Sequence, residues 1–234
     1  ADRPARAILF ICAGILAISV NDLLIKTLSD GYPLHQLVFV RSAIGLVFTF
    51  TFLRMEGGLR LLRTDRPGLH ALRALMIVGA NMTFFAAVAA LSLGQATALF
   101  FVAPLFITLL SIPVLGETVG PLRLSAVVVG FVGVLIMQRP WEATLDVSRA
   151  VLLLPVLAAA LYAGMQILTR RLGAETAASA MSVYIQGSFL CVGALFFLVA
   201  GDGRFAEGVD SQSLQFLLRA WSWPTAADWP WFIG

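Results

Sequence analysis

From Ala74 to Gly116 the chain runs without a single Asp, Glu, Lys or Arg. A helix that crosses a bilayer needs about 20 mostly apolar residues, so this stretch is long enough for two. Its only turn-like interruption is Ser92-Leu93-Gly94-Gln95, which divides it into Ala74–Leu93 and Ala96–Leu115. Five further apolar runs have spanning character: Ala7–Ile25, Leu34–Leu53, Pro121–Met137, Ala150–Thr169 and Thr176–Ala200. Only 12% of the residues are charged, against about 25% in a soluble domain. Mean hydropathy is +0.91. A bilayer solvates such a surface and water does not, so the sequence predicts an all-α, polytopic membrane helix bundle. An eighth run begins at Trp229 and the sequence stops at Gly234, which leads us to expect a chain cut in mid-architecture.

The small net charge of +3 gives no reason to expect a nucleic-acid partner. The cations are informative by position instead, because loops on the cytoplasmic side carry the excess of Arg and Lys. With the N-terminus inside, inner segments hold ten: Arg3, Arg6, Arg54, Arg60, Arg63, Arg66, Arg73, Arg123, Arg170 and Arg171. Outer segments hold five: Lys26, Arg139, Arg149, Arg204 and Arg219. The expectation is a multi-pass protein of the cell (inner) membrane with a cytoplasmic N-terminus. Trp141, Trp221, Trp223, Trp229 and Trp231 all fall in outer segments, where amphipathic indoles suit the interface. Ser213–Trp223 reads as a short surface helix with Leu214, Leu217, Leu218 and Trp221 facing down. Cys12 and Cys191 lie in apolar runs without metal spacing and read as buried packing residues. Arg3 and Arg6 before an apolar run resemble a signal peptide, but Asn21 and Asp22 interrupt the run and no small-residue cleavage site follows.

Asp22-Leu-Leu-Ile-Lys26-Thr-Leu28 and Gln166-Ile-Leu-Thr-Arg170-Arg-Leu172 form a faint repeat, and near the same offset Arg41 matches Gln186. An odd number of helices separates the copies, so the second copy is upside down, a construction common in secondary transporters. The ordered set Ala90-Leu-Ser-Leu-Gly-Gln-Ala-Thr-Ala-Leu, Ala103-Pro104-Leu105-Phe106, Leu115-Gly116-Glu117-Thr118 and Gly130/Gly133 resembles the closing helices of the EamA repeat in the drug/metabolite transporter superfamily. Phe39-Val-Arg41-Ser42 resembles that repeat's second-helix arginine motif. Asn21-Asp22…Lys26 with Phe39…Arg41 is most similar to bacterial members that take up metabolites, riboflavin and S-adenosylmethionine carriers among them. The resemblance implies inverted five-helix repeats: residues 1–140 as the first, and 141–234 as the start of a truncated second that lacks about three helices. Half of one wall of the substrate site should then be absent, with the Tyr162/Gln166 and Ser182/Gln186 faces open to lipid.

Ionisable groups inside a span cost about 2.5–3.5 kcal/mol on insertion scales and normally face a partner or a wet cavity. Asp22 lies about 5 Å and Arg41 about 10 Å inside the outer boundary, so the two can meet. They read either as part of a substrate site or as a structural ion pair, with Lys26 snorkelling outward. Two nearby cations make Asp22 a poor proton carrier. Asn81, with Phe84 and Phe85 one turn on, suits an aromatic ligand or an interhelical hydrogen bond. Thr97, Phe101, Pro104 and Thr108 form a stripe that lines a pathway or marks a packing kink. Tyr162 with Gln166, and Ser182 with Gln186, share helix faces and read as an inner polar cluster or as glue between helices. Glu117 reads as structural, capping its helix or pairing with Arg123.

These features favour a secondary transporter of small organic metabolites, of amino-acid, nucleoside-like or vitamin class, working by alternating access. The alternatives are a non-transporting membrane assembly factor and a membrane-embedded enzyme. The enzyme reading lacks support, because there is no aspartate cluster for a metal, His35 and His70 form no metal or nucleophile constellation, and no Walker loop is present. No cofactor is expected. The expected partners are the lipid bilayer and a small-molecule substrate.

Overall fold

The computed structural model describes residues 3–138, 149–172 and 176–233. Ten α-helices are present among them: α1 (Arg3–Leu28), α2 (Leu34–Glu56), α3 (Pro67–Ala90), α4 (Leu93–Phe100), α5 (Ala103–Leu115), α6 (Pro121–Gln138), α7 (Arg149–Leu172), α8 (Ala178–Ala200), α9 (Gln212–Leu218) and α10 (Trp229–Ile233). A 3-10 turn at Gly58–Leu62 lies in the arginine-rich connection between α2 and α3. No strand occurs among the described residues. Six helical segments are long and apolar enough to cross a membrane, and a shorter apolar helix covers Pro121–Ile136. The seven apolar runs therefore all form helices, as the polytopic reading requires. Trp141 and Arg139 lie outside the described residues.

The charge-free stretch divides where the sequence suggests, but by a different device. Ser92 is the N-cap of α4: its side chain accepts from the Gln95 amide, and Gln95 Oε1 accepts from the Ser92 N–H at 3.2 Å. This reciprocal capping box satisfies two N–H groups that a helix start leaves bare. The third span begins earlier than expected, because Pro67 supplies a preset first-turn dihedral and needs no donor there. The fourth span is not one rod. Pro104 has no N–H to give to the Phe100 carbonyl, and at Phe101–Val102 the bonding shortens to Val102 N–H on Leu99 O, 3.3 Å. α5 starts afresh at Ala103 and ends at Gly116, whose φ of 69° suits a residue without Cβ.

In the bundle α3 packs along α7 and α2 along α8, while α5 leans on α7. The main core joins Leu34, Leu37, Val78, Phe84, Phe85, Val88 and Ala158 with Phe216 and Phe232 from the C-terminal segment. Arg73 is buried within the α3–α7 contact, where its Nε donates to Thr169 Oγ1 at 2.7 Å, so it belongs to a helix interface and not to the open loop. Lys26 does not snorkel outward. Its ammonium donates to the carbonyls of Val88 (2.5 Å), Leu91 (3.3 Å) and Ala89 (3.5 Å), where α3 ends and its last acceptors lack helical partners.

Residues 201–228 cover the α1–α2 turn. Gln36 donates to Ser222 O (2.6 Å) and accepts from Ser222 N–H (3.3 Å). Tyr32 donates to Asp228 (2.6 Å), and Arg219 donates to Asp30 O. α9 buries Ser213 and Phe216, packs Leu217 against the core and leaves Leu214 47% exposed. Trp221 packs on Phe197, Phe39 and His35. Cys12 and Cys191 are exposed on the bundle surface, so they fill no core space.

Candidate functional site

Polar side chains from four helices converge on a cavity of ≈ 250 Å³. α1 supplies Asn21, α2 supplies Arg41 and Ser42, α3 supplies Asn81, and α8 supplies Gln186. Its apolar walls include Phe85 and Phe189. The lining follows helical periodicity, because residues three or four apart share a face. Asn21 stands one turn from Ile25, Val38 one turn from Arg41 and Ser42, Asn81 one turn from Phe85, and Gln186 one turn from Phe189. By helix rise, Arg41 and Asn81 lie about 10–14 Å from the nearer ends of their helices, close to mid-depth of a bilayer core about 30 Å thick.

Gly45 makes room for one of these groups. A Cβ on Gly45 would collide with the Gln186 amide, so the absent side chain lets that amide lie across α2 at the cavity edge. Asn81 spends its amide hydrogen on its own helix, donating to Ile77 O at 2.9 Å, rather than on an interhelical bond. Asn21 donates to Asp22 at 3.3 Å. Asp22 and Arg41 lie within electrostatic reach of each other but form no direct ion pair, and the Arg41 guanidinium donates to Trp231 O at 3.4 Å. Arg41, Asn81 and Gln186 are thus brought together, with Asp22 beside them.

The other candidates lie elsewhere. Phe101 is 68% exposed at the α4–α5 break and lines neither this cavity nor the crevice described below. Tyr162 and Gln166 bond to each other instead of opening to lipid: the Gln166 amide donates to the Tyr162 hydroxyl at 2.8 Å, and the Tyr162 ring meets Phe100 at 5.4 Å. Ser182 is likewise satisfied, donating to Ala178 O at 3.0 Å. Glu117 pairs with Arg170 at 3.7 Å, where Arg123 was the expected partner. Asn21, Ser42 and Phe189 were not singled out as site residues. Ser42 stands in the quoted arginine motif and Asn21 beside Asp22, so adjacency was the available signal. Phe189 carried none, because a phenylalanine in an apolar run looks like any lipid-facing residue.

At the extramembrane end of the bundle, Asp228 accepts from Thr225 Oγ1 and Tyr32, each at 2.6 Å. These bonds hold its carboxyl below the ordinary carboxylate value, the Thr225 contact contributing most. The same carboxylate raises the Tyr32 phenol above its ordinary value. No group of three or more His, Cys, Asp or Glu able to hold a metal ion occurs among the described residues.

Residues 5–139 match the EamA-like transporter family. Among curated proteins, a riboflavin transporter of Brucella anthropi is 31% identical over 81% of this chain and 65% of its own length. An S-adenosylmethionine uptake transporter of Rickettsia prowazekii is 27% identical over 71% of this chain and 55% of its own. The pseudopaline exporter CntI of Pseudomonas aeruginosa is 29% identical over 67% of this chain and 54% of its own. The chain thus spans between about half and two thirds of the length of these relatives. No solved structure matches it.

Proposed function

Because this chain belongs to the EamA-like transporter family, we propose that it forms the substrate-binding part of a secondary carrier of small organic metabolites. The observation that carries this reading is the convergence of Arg41, Asn81 and Gln186, from three helices, on one cavity at membrane depth. Transporters of this kind bind cargo near the bilayer midplane, between repeats. We read residues 1–140 as one five-helix repeat and 141–234 as the start of an inverted second. The family match ending at residue 139 supports that boundary. The packing of α2 on α8, which carry the matched positions Arg41 and Gln186, supports the inversion. The arginine-rich face is the cytoplasmic one in this reading, and the membrane is the inner membrane.

The cargo class follows from the lining. Three amides, a hydroxyl and a guanidinium offer directed hydrogen bonds, while Phe85 and Phe189 offer ring faces. The cavity is slightly smaller than the about 300–1,000 Å³ usual for drug-sized ligands. It accordingly takes the ring portion of a planar, polar metabolite. The relatives are named for riboflavin and S-adenosylmethionine, which makes these two the first probes. They include both an uptake carrier and an exporter, so direction is measured separately.

The test is saturable flux of labelled riboflavin and S-adenosylmethionine in vesicles containing the full chain, compared with Arg41→Gln and Gln186→Ala. Losing a charged hydrogen bond to cargo costs about 1.5–3 kcal/mol, or roughly 10–100-fold in transport efficiency. Unchanged flux in both variants would remove this cavity from the pathway.

A further inference from the structure

A second opening lies at the arginine-rich end of the bundle. α6 rests on α5 where Leu105 fills the space beside Gly130 and where Phe106 meets Phe131 edge-on at 6.0 Å. Towards the arginine-rich face the helices part around a crevice of ≈ 430 Å³ between α5, α6 and the end of α7. It shares no lining residue with the Arg41 cavity. Its polar rim is Arg123, Arg170 and Glu117, and Leu105, Ala126 and Val127 form its apolar wall.

The rim is positively charged and loosely held. Glu117 and Arg170 stand 3.7 Å apart with side chains 41% and 55% exposed, a geometry that holds partners weakly. The Arg123 side chain makes no ion pair or hydrogen bond among the described residues. Two guanidiniums therefore face one carboxylate, and guanidinium forks match the oxygens of a phosphate. Outside the crevice α6 turns Val128, Val129 and Val132 to the surrounding lipid. A charged rim at the membrane face above an apolar wall fits one molecule with an anionic head and a hydrocarbon tail. Basic pockets between spanning helices are a recurring way of holding such head groups.

We propose that this crevice binds the phosphate headgroup of an anionic phospholipid. Arg123 and Arg170 take the phosphate oxygens, Arg170 exchanging its loose contact with Glu117 for the stronger ligand. An acyl chain lies along Leu105, Ala126 and Val127. The bound lipid fastens α6, the least buried of the spans, to α5 and α7. This inference stands independently of the cargo assigned to the Arg41 cavity.

The test is native mass spectrometry of the full chain titrated with phosphatidylglycerol, phosphatidylcholine or inorganic phosphate. Compared with it are Arg123→Gln, Arg170→Gln and Ala126→Phe, and Arg54→Gln serves as a control arginine of the same face outside the crevice. The expected result is phosphatidylglycerol adducts that weaken about fivefold for each crevice arginine removed. Ala126→Phe, which leaves both arginines in place, should weaken them as well by filling the acyl wall, and Arg54→Gln should retain them. Equal adducts in the crevice variants and the control would overturn the proposal, as would equal binding of phosphatidylcholine. Saturation by inorganic phosphate without lipid would also overturn it, by assigning the arginines to a soluble anion.

Discussion

The Tyr32 hydroxyl donates to the Asp228 carboxylate at 2.6 Å and ties the α1–α2 turn to the segment that leads into α10. The same Tyr32 oxygen accepts from the Thr225 N–H at 3.3 Å, so the phenol is held from two sides. The two ionisable partners move in opposite directions: Asp228 lies below its ordinary 3.8 and Tyr32 above its ordinary 10.0. A depressed carboxyl contributes stability above its unfolded value that is lost as pH falls through its folded value. A raised phenol contributes stability below its unfolded value that is lost as pH rises through its folded value. The clamp is therefore complete between the two ordinary values. Phenolate absorbance should show a component titrating above 10.0 that is lost in Tyr32→Phe and returns towards 10.0 in Asp228→Asn. An unchanged titration curve in Asp228→Asn would show that the clamp does not form in solution.

Lys26 closes α3 by donating to three carbonyls at its end. Lys26→Met keeps the stem and removes the donors. A hydrogen bond from a charged group contributes about 1.5–3 kcal/mol, so Tm should fall by roughly 3–12 °C. A melt within a degree of the unmodified protein would mean that solvent or headgroups satisfy those carbonyls equally well.

The Gly45–Gln186 contact should behave as a coupled pair. Gly45→Val forces the Gln186 amide out of place, and overpacking of this kind costs about 1–3 kcal/mol. Gln186→Ala should recover much of that loss, giving a non-additive double-mutant cycle. Additive effects would show that Gln186 moves aside freely and is not fixed at the cavity.

Orientation is tested by cysteine labelling in a variant whose exposed Cys12 and Cys191 have been replaced. With the arginine-rich face cytoplasmic, a membrane-impermeant reagent applied to intact cells should miss Arg60→Cys and modify Arg204→Cys. The opposite pattern would invert the topology.

The spans were legible because a bilayer imposes its demand on composition, and a run such as Ala74–Gly116 satisfies that demand whatever its neighbours are. Arg41, Asn81 and Gln186 were legible for the same reason, as polar groups that have to be accommodated inside apolar runs. Phe101 failed on local geometry. The stripe Thr97–Phe101–Pro104–Thr108 assumes an unbroken helix, but a turn interrupts it at Phe101–Val102, and Pro104 and Thr108 line the crevice between α5, α6 and α7 while Phe101 stands exposed. The contacts of Lys26 and Tyr32 were hidden by distance in sequence. Their partners, Val88 and Asp228, are far along the chain, and no local pattern selects them. Ser92 and Gln95 show the intermediate case: the spacing carried the signal of a helix start but resembled an ordinary turn.

The broken fourth span has a mechanical consequence. A continuous helix passes a tilt from one membrane face to the other, and bending it in the middle means lengthening or rupturing backbone bonds. Here that rupture is already built in, since Pro104 leaves the Phe100 carbonyl without its helical donor. Bending at this joint therefore costs fewer backbone bonds than bending an unbroken helix would. The angle between α4 and α5 is thus set by the packing of each on α7 and not by one continuous backbone ladder.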